Sequence, residues 1–186
     1  MATPEAQQLL DAGQLDQKLR EMSHALVGLL GEAPESGVLL GIRTRGVVMA
    51  RRLKRMIAEE RGIDLPLGIL DITLYRDDLS TREIQPIVQR TLLEFNVTDK
   101  QVLLIDDVLH TGRTVRSAID EIIDFGRPRA IRLAVMVERE GREYPIQPDY
   151  AALRVASDDR EVSVRLNEID GDDQVILAPP GQPAGD

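Results

Sequence analysis

The chain has 186 residues, of which 42% are apolar, enough for one domain with a full hydrophobic core. It contains no Cys, which excludes disulfides, thiol nucleophiles and cysteine-based metal sites. A net charge of −9 argues against general nucleic-acid binding, and an aromatic content of 3% leaves few rings for stacking on a base.

The first residues, MATPEAQQLLDAGQ, show no basic stretch followed by an apolar run. Nowhere does an apolar run approach the roughly 18 residues of a membrane span, so a soluble, cytoplasmic protein is expected. Leu15, Leu19, Met22, Leu26 and Leu29 recur at spacings of four and three, which predicts an amphipathic helix over 15–30. Gly31, Pro34 and Gly37 end it. VLLGI (38–42) reads as a buried strand, Arg43 to Gly46 as a loop, and about 47–61 as a helix. LGILDITL (67–74) reads as a second strand.

From Tyr75 to Gln89 the chain turns polar and loses any clear period. Structureless segments of this length are uncommon and often close over active sites; a surface excursion or a two-stranded arm is the other reading. Residues 91–95 suit a strand returning from it. A strand at 102–106, a helix at 114–125 stopped by Gly126, and a strand at 130–137 follow. Pro145 and Pro148 mark a loop, and 162–166 and 174–177 read as short strands. Alternating strands and helices imply an α/β fold, a mostly parallel twisted sheet with helices on both faces. Strands 38–42, 67–74, 102–106 and 130–137 form its core. One domain is expected over 1–177, with APPGQPAGD (178–186) a disordered tail.

Residues 102–114, VLLIDDVLHTGRT, carry the most chemistry. An apolar strand ends in two carboxylates, Asp106 and Asp107; Val108, Leu109 and His110 lead to Thr111-Gly112-Arg113-Thr114 at a helix start. Free N–H groups there can cradle a phosphate, Gly112 permits close approach, and Thr111 and Thr114 add hydroxyls. Carboxylates at the carboxyl end of a parallel strand suit ribose hydroxyls or a hydrated Mg²⁺. Receiver domains also pair acidic residues at a strand end, but near the domain's N-terminus. A Walker-type loop would need GK[ST], which is absent. His24 and His110 are isolated and make no case for zinc.

The motif resembles the phosphoribosyl-diphosphate (PRPP) signature of type I phosphoribosyltransferases. GIRTRG (41–46), DITLYRDDLS (71–80) and GRPRAIRLAVMVER (126–139), followed by REYPI, resemble the PyrR family of bacterial pyrimidine-operon regulators with uracil phosphoribosyltransferase activity. The resemblance implies a type I phosphoribosyltransferase fold with a small hood and a flexible active-site loop. It implies that Asp106 and Asp107 hold the ribose hydroxyls and that Thr111 to Thr114, with Val108, Leu109 and His110 leading in, hold the 5′-phosphate. Arg43, Thr44, Arg45 and Gly46 would take the diphosphate, with Arg76 closing on it; Asp77, Asp78 and Arg82 are equally readable as solvated. Met136, Val137 and Glu138 would present backbone groups to uracil, with Arg139 beside the base or the ribose phosphate. His110 stands where the family often has Tyr; contact with the phosphate loop and a solvent-facing position both remain open. Mg²⁺ is expected to arrive with PRPP rather than at a site of its own, and a homodimer or homotetramer is expected.

The family's second role is binding pyrimidine-operon leader RNA. Its pattern DRGHRELPIRADY, then Gly-Lys-Asn, here reads EREGREYPIQPDYAAL (138–153). The His has given way to Gly, one Arg to Gln147, and the Lys is lost among Ala151, Ala152 and Leu153. The family's Thr-Arg before a helical His reads Arg20-Glu21 before His24. Glu138, Glu140, Glu143 and Asp149 against Arg139 and Arg142 leave a net of −2 in that segment. Arg51, Arg52, Lys54 and Arg55 form the densest basic cluster, an RNA patch or a solvated helix face. Two functions are therefore carried forward: an enzyme making UMP from uracil and PRPP, and a UMP-sensing RNA regulator with weak catalysis.

Overall fold

The computed structural model describes residues 6–72, 91–156 and 160–178. In chain order its elements are β1 (Gln7–Leu10), α1 (Ala12–Leu30), β2 (Gly37–Ile42), α2 (Arg45–Arg61), β3 (Leu67–Leu70), β4 (Gln101–Leu109), α3 (Arg113–Phe125), β5 (Ala130–Arg139), β6 (Tyr150–Val155), β7 (Glu161–Arg165), α4 (Asn167–Asp170) and β8 (Gln174–Ala178).

Strands β3-β2-β4-β5-β6, in that order, make a five-stranded sheet whose neighbours are all parallel. β2 is buried at every position, which is why it reads as an unbroken apolar run rather than an alternating one. Period two sorts the residues of β4. Leu103 and Ile105 pack with Leu19, Met22 and Leu26 of α1 and Met49, Leu53 and Ile57 of α2. Val102 and Leu104 pack with Val115, Ala118 and Ile122 of α3. The sheet is thus covered on both faces, as expected. α1 is entered through a capping box: the Asp11 carboxylate accepts the Gln14 N–H at 2.8 Å, and the Gln14 side chain accepts the Asp11 N–H at 3.0 Å. Leu30, rather than Leu29, completes its buried stripe.

β1, β8 and β7 form a second, antiparallel sheet, the hood; its Leu10, Val164, Leu166 and Val175 join the core on the α1–α2 side. Several expectations are corrected. β4 does not stop at the acidic pair but runs on to Leu109, because its ladder with β5 continues through Val108↔Val137 and Leu109↔Glu138. β5 likewise extends to Arg139, held by β6, a strand not anticipated. The returning strand at 91–95 shrinks to one bridge, in which Leu92 and Ile69 exchange two hydrogen bonds of 3.0 Å. Leu92 is 53% exposed, so burial gives that strand no reason to lengthen. β3 ends at Leu70; residues 73–90, with Arg76, Asp77, Asp78 and Arg82, and residues 179–186 lie outside those described.

One buried polar cluster braces this side of the sheet. The Asp71 N–H donates to Thr91 Oγ1 at 3.0 Å, and the Thr91 hydroxyl donates to the Glu121 carboxyl of α3. Glu121 is only 4% exposed and its Oε2 has no hydrogen-bond partner among the described residues. Burial first, and then the charges of Asp71 and Asp124, push its carboxyl above the ordinary range; the Thr91 bond opposes this. A carboxyl whose pKa is raised by folding stabilises the fold most below its unfolded pKa, and that contribution is lost as pH rises through the folded value. Glu121→Gln is therefore expected to raise the melting temperature at pH 7 to 8 and to flatten its decline above pH 5, as thermal melts across that range would show.

Candidate active site

Two helices begin at the carboxyl edge of the sheet, α2 after β2 and α3 after β4. Between them lies a cleft of about 350 Å³. One wall is Arg43, Thr44 and Arg45; the other is Asp106, Asp107, Val108 and Thr114; Asp71 and Ile72 close the side. The sequence-predicted diphosphate loop and acidic pair thus meet in one place. Asp71 closes the same cleft and was not anticipated; its position just after β3, level with the end of β2 and with the acidic pair of β4, was the available signal.

The helix starts suit an anion. α1, remote from the cleft, has a full capping box, whereas neither Thr44 of α2 nor Gly112 of α3 caps its helix with a side chain. Both helix starts border the cleft, through Thr44 and Arg45 of α2 and Thr114 of α3, and first-turn N–H groups with the positive end of a helix dipole favour an anion there. Gly112 sits at φ 90°, which a side chain rarely adopts, and a Cβ there would come 3.3 Å from Tyr144 Cβ. Thr111 Oγ1 accepts the Arg113 N–H at 3.3 Å, and the Thr111 carbonyl accepts the N–H groups of Glu143 and Tyr144 at 3.0 and 3.1 Å. The phosphate-type loop is thereby fixed from behind by residues 143–144. Gly46 serves close approach: a Cβ there would lie 2.5 Å from the Ile105 carbonyl oxygen and 3.2 Å from Asp106 Cα. Only a glycine lets the first turn of α2 rest on the backbone that carries the acidic pair.

Asp106 is 5% exposed, and its Oδ1 accepts the Asp107 N–H at 3.0 Å. Burial, then the adjacent Asp107 charge, pushes its carboxyl well above the ordinary carboxylate range. Asp106 therefore gains from donors such as sugar hydroxyls or from a nearby cation, which favour its charged form. Across the cleft, Arg43 Nε stands 3.4 Å from Asp71 Oδ2, and the Arg43 N–H donates to the Leu70 carbonyl at 2.9 Å. The guanidinium of Arg45 is held at two points by Asp170 of α4, Nη2 at 2.8 Å and Nε at 3.4 Å.

The remaining predicted residues lie elsewhere. The Leu109 side chain is core. Met136 and Val137 are fully buried inside the β5 ladder, so their side chains do not reach the cleft. Glu138 borders a separate hollow of about 380 Å³ with Gln147 and Arg154, and ion-pairs with Arg142 at 2.8 Å and Arg154 at 3.1 Å. Arg142 also donates to the His110 carbonyl at 2.6 Å. His110 is half-buried; burial first, then the charges of Arg139 and Arg142, hold its imidazole below the usual range. Arg139 and His110 are thus neighbours, joining the end of β5 to the start of the phosphate-type loop. Much of the basic cluster on α2 is engaged: Arg52 grips Glu168 and Asp173, Lys54 binds Asp64 and the Leu65 carbonyl at 2.6 Å, and Arg55 reaches Glu59 at 4.0 Å. Arg20 and His24 of α1 both end on Glu60, at 2.8 and 2.7 Å. No helix among the described residues is long and apolar enough to cross a membrane.

Comparison with known proteins fits this geometry. Residues 5–169 match the phosphoribosyl transferase domain family. The hypoxanthine phosphoribosyltransferase of Staphylococcus aureus superposes with a TM-score of 0.71 at 18% identity, covering 97% of this chain and 94% of that one. The enzyme of Trypanosoma cruzi gives 0.70 at 15% identity, covering 96% and 98%. Identities this low speak for the fold alone. The family match over most of the chain makes it a phosphoribosyltransferase-domain protein, and the parallel sheet with its helix-flanked cleft and these superpositions give it the type I phosphoribosyltransferase fold. Curated sequences narrow this: the bifunctional protein PyrR of Pelotomaculum thermopropionicum is 47% identical over 174 residues, covering 93% of this chain and 96% of that protein. Those of Clostridioides difficile and Deinococcus radiodurans are 46% and 42% identical, each covering at least 93% of this chain. The chain belongs to the PyrR family.

Proposed function

We propose that the protein transfers the phosphoribosyl group of PRPP to uracil, giving UMP and diphosphate. The observation that carries this reading is the cleft in which Arg43, Thr44 and Arg45 face Asp106, Asp107 and Thr114 between two helix starts without side-chain caps. A sugar bearing phosphate at one end and diphosphate at the other matches two anion sites separated by a carboxylate pair.

In this reading the N–H groups and hydroxyls of Thr111 to Thr114 hold the 5′-phosphate. Arg43 to Gly46 take the diphosphate, with Arg76 added from outside the described residues. Asp106 and Asp107 accept hydrogen bonds from the ribose hydroxyls and stand near the positive charge that develops at the anomeric carbon. The bond from that carbon to the diphosphate oxygen breaks and its electron pair leaves with diphosphate, uracil N1 forms a bond to the carbon, and the N1 proton passes to the departing diphosphate or to water. The protein contributes positioning and preorganised charge rather than a nucleophile. Mg²⁺ would enter with PRPP, held largely by diphosphate oxygens, sugar hydroxyls and water, and would offset diphosphate charge; among the described residues no group of three or more carboxylates or histidines stands ready to bind it alone. The uracil preference rests on family membership, which assigns the end of β5, with Glu138 and Arg139, to the base. An assay of uracil, hypoxanthine, guanine and orotate as acceptors is expected to give UMP at a kcat/KM at least about a hundredfold above the others, since a site fitted to uracil leaves polar groups mispaired against the larger purines and must bury the extra carboxylate of orotate. Comparable turnover of a purine would overturn the uracil assignment.

Leader-RNA regulation is the second reading, favoured by the bifunctional name of the relatives. The basic groups it would use are largely spent within the molecule: Arg20 and His24 on Glu60, Arg142 and Arg154 on Glu138. We expect leader-hairpin affinity weaker than about micromolar at physiological salt, because each missing phosphate contact weakens binding and flattens its salt dependence. UMP-dependent nanomolar binding would show the opposite. Self-association as a dimer or tetramer completes the proposal; the apolar hollow along α3, with Ile123 57% and Ile119 and Ile131 partly exposed, supports it.

A further inference from the structure

The hood is fastened to α2 by two arginines, seven residues and about two turns apart on one face. Arg52 holds Asp173 at 2.8 Å and also binds Glu168, well away from the cleft. Arg45, the first residue of α2, lines the cleft and holds Asp170 at 2.8 Å. These pairs look alike but differ in what else each arginine can reach. The Arg52 side chain is 13% exposed and has only the hood before it. Arg45 stands where the diphosphate is proposed to bind.

We propose that Asp170 competes with diphosphate for Arg45, so that the pair acts as a displaceable counter-ion that limits how tightly the cleft holds the diphosphate group. This rests on the diphosphate reading of Arg43 to Gly46 and adds a residue from the hood to that site. The carboxylate is well placed for the role. Its side chain is 7% exposed. Its Oδ2 accepts the Leu166 N–H at 2.8 Å, which keeps it in position when Arg45 leaves. Burial pushes its carboxyl up, but the Arg45 and Leu166 hydrogen bonds outweigh this and hold it below the ordinary range, so it is a full anion at neutral pH.

The chemistry gives a reason for such a competitor. The start of α2, Arg43 and Arg45 all favour a multiply charged diphosphate, which is both part of the substrate and a product that must leave. Binding substrate and product tightly lowers KM without raising kcat. A carboxylate that reclaims Arg45 after the bond breaks weakens product binding while leaving the anomeric carbon untouched. By linkage, diphosphate in the cleft must loosen the grip of α2 on residues 166–173 to the same extent.

The test is calorimetric binding of Mg-diphosphate to the whole chain, with KM for PRPP and inhibition by diphosphate measured beside it. Asp170→Asn keeps an acceptor for the Leu166 N–H but removes the charge. It is expected to bind Mg-diphosphate roughly three- to tenfold more tightly, the range that loss of a partly buried competing charge produces, and to be inhibited correspondingly more by it. Asp173→Asn breaks the companion pair away from the cleft; it is expected to lower the melting temperature and leave diphosphate binding unchanged. If Asp170→Asn binds diphosphate equally or more weakly, Asp170 merely props Arg45 and the competition is refuted. A similar gain in Asp173→Asn would refute it too, by tracing the effect to a loosened hood. Wild-type protein that binds no diphosphate at all would instead refute the transferase reading, and this inference with it.

Discussion

Asp106→Asn is expected to abolish most transferase activity while leaving the protein as stable as before or more so. The activity loss follows from the geometry of the cleft, where the carboxylate pair faces the sugar between the two anion sites. Removing one preorganised group aimed at developing charge costs on the order of a hundred- to a thousandfold in turnover. The stability half follows from burial. Asp106 is 5% exposed and its carboxyl is pushed up by desolvation and by Asp107. Its favourable contribution is complete below the unfolded carboxylate pKa and is lost as pH rises through the folded value, so at neutral pH a neutral isostere relieves a cost. Asn still offers an oxygen to the Asp107 N–H. Asp107→Asn is expected to lose activity to a similar degree without the stability gain, because Asp107 is only partly buried. Melts at pH 6 and 8, run beside initial rates, separate the two effects. Loss of activity in step with unfolding would contradict the assignment.

Gly46→Ala is the second substitution with a large expected effect. Its Cβ would stand 2.5 Å from the carbonyl oxygen of Ile105, a backbone atom in a strand paired on both sides. Neither partner can move as a flexible side chain would. The first turn of α2 must lift from β4, separating the diphosphate loop from the acidic pair. Overpacking of this kind costs about 1–3 kcal/mol, and misplacing one substrate anchor by an ångström can cost about a hundredfold in rate. Denaturant titration should show the stability loss, and KM for PRPP should rise. Gly28→Ala is the control: nothing lies within 4 Å of a Cβ there, and the residue is in α1, so the change is expected to stabilise by up to about 1 kcal/mol through helix propensity.

Local chemistry wrote much of the fold into the sequence, and long-range pairing hid the rest. VLLIDDVLHTGRT announced a strand, an acidic pair and a helix start because each is set by neighbouring residues. The stripe Leu15, Leu19, Met22 and Leu26 announced α1 for the same reason. β1 is only four residues long and exists because Gln7 meets Leu177 across the hood. β6 reads YAALRV, with no clean alternation, and takes its strand form from β5. The run of β4 past the acidic pair also depends on β5. Arg45 read as a diphosphate-binding loop residue and Arg52 as part of an RNA patch or a solvated helix face; neither reading shows their acidic partners, which lie 125 and 121 residues away. Asp71 stood unnoticed inside an apolar stretch until the sheet order brought its strand end beside Arg43. Met136 and Val137 were placed at a strand end that the ladder moves on to Arg139.

The most direct test of the account is a product assay with purified protein, PRPP, uracil and Mg²⁺. The cleft between α2 and α3 predicts UMP and diphosphate in equal amounts, with formation lost in Asp106→Asn and in Asp107→Asn. PRPP binding without any UMP, or UMP formation that survives both substitutions, would contradict it.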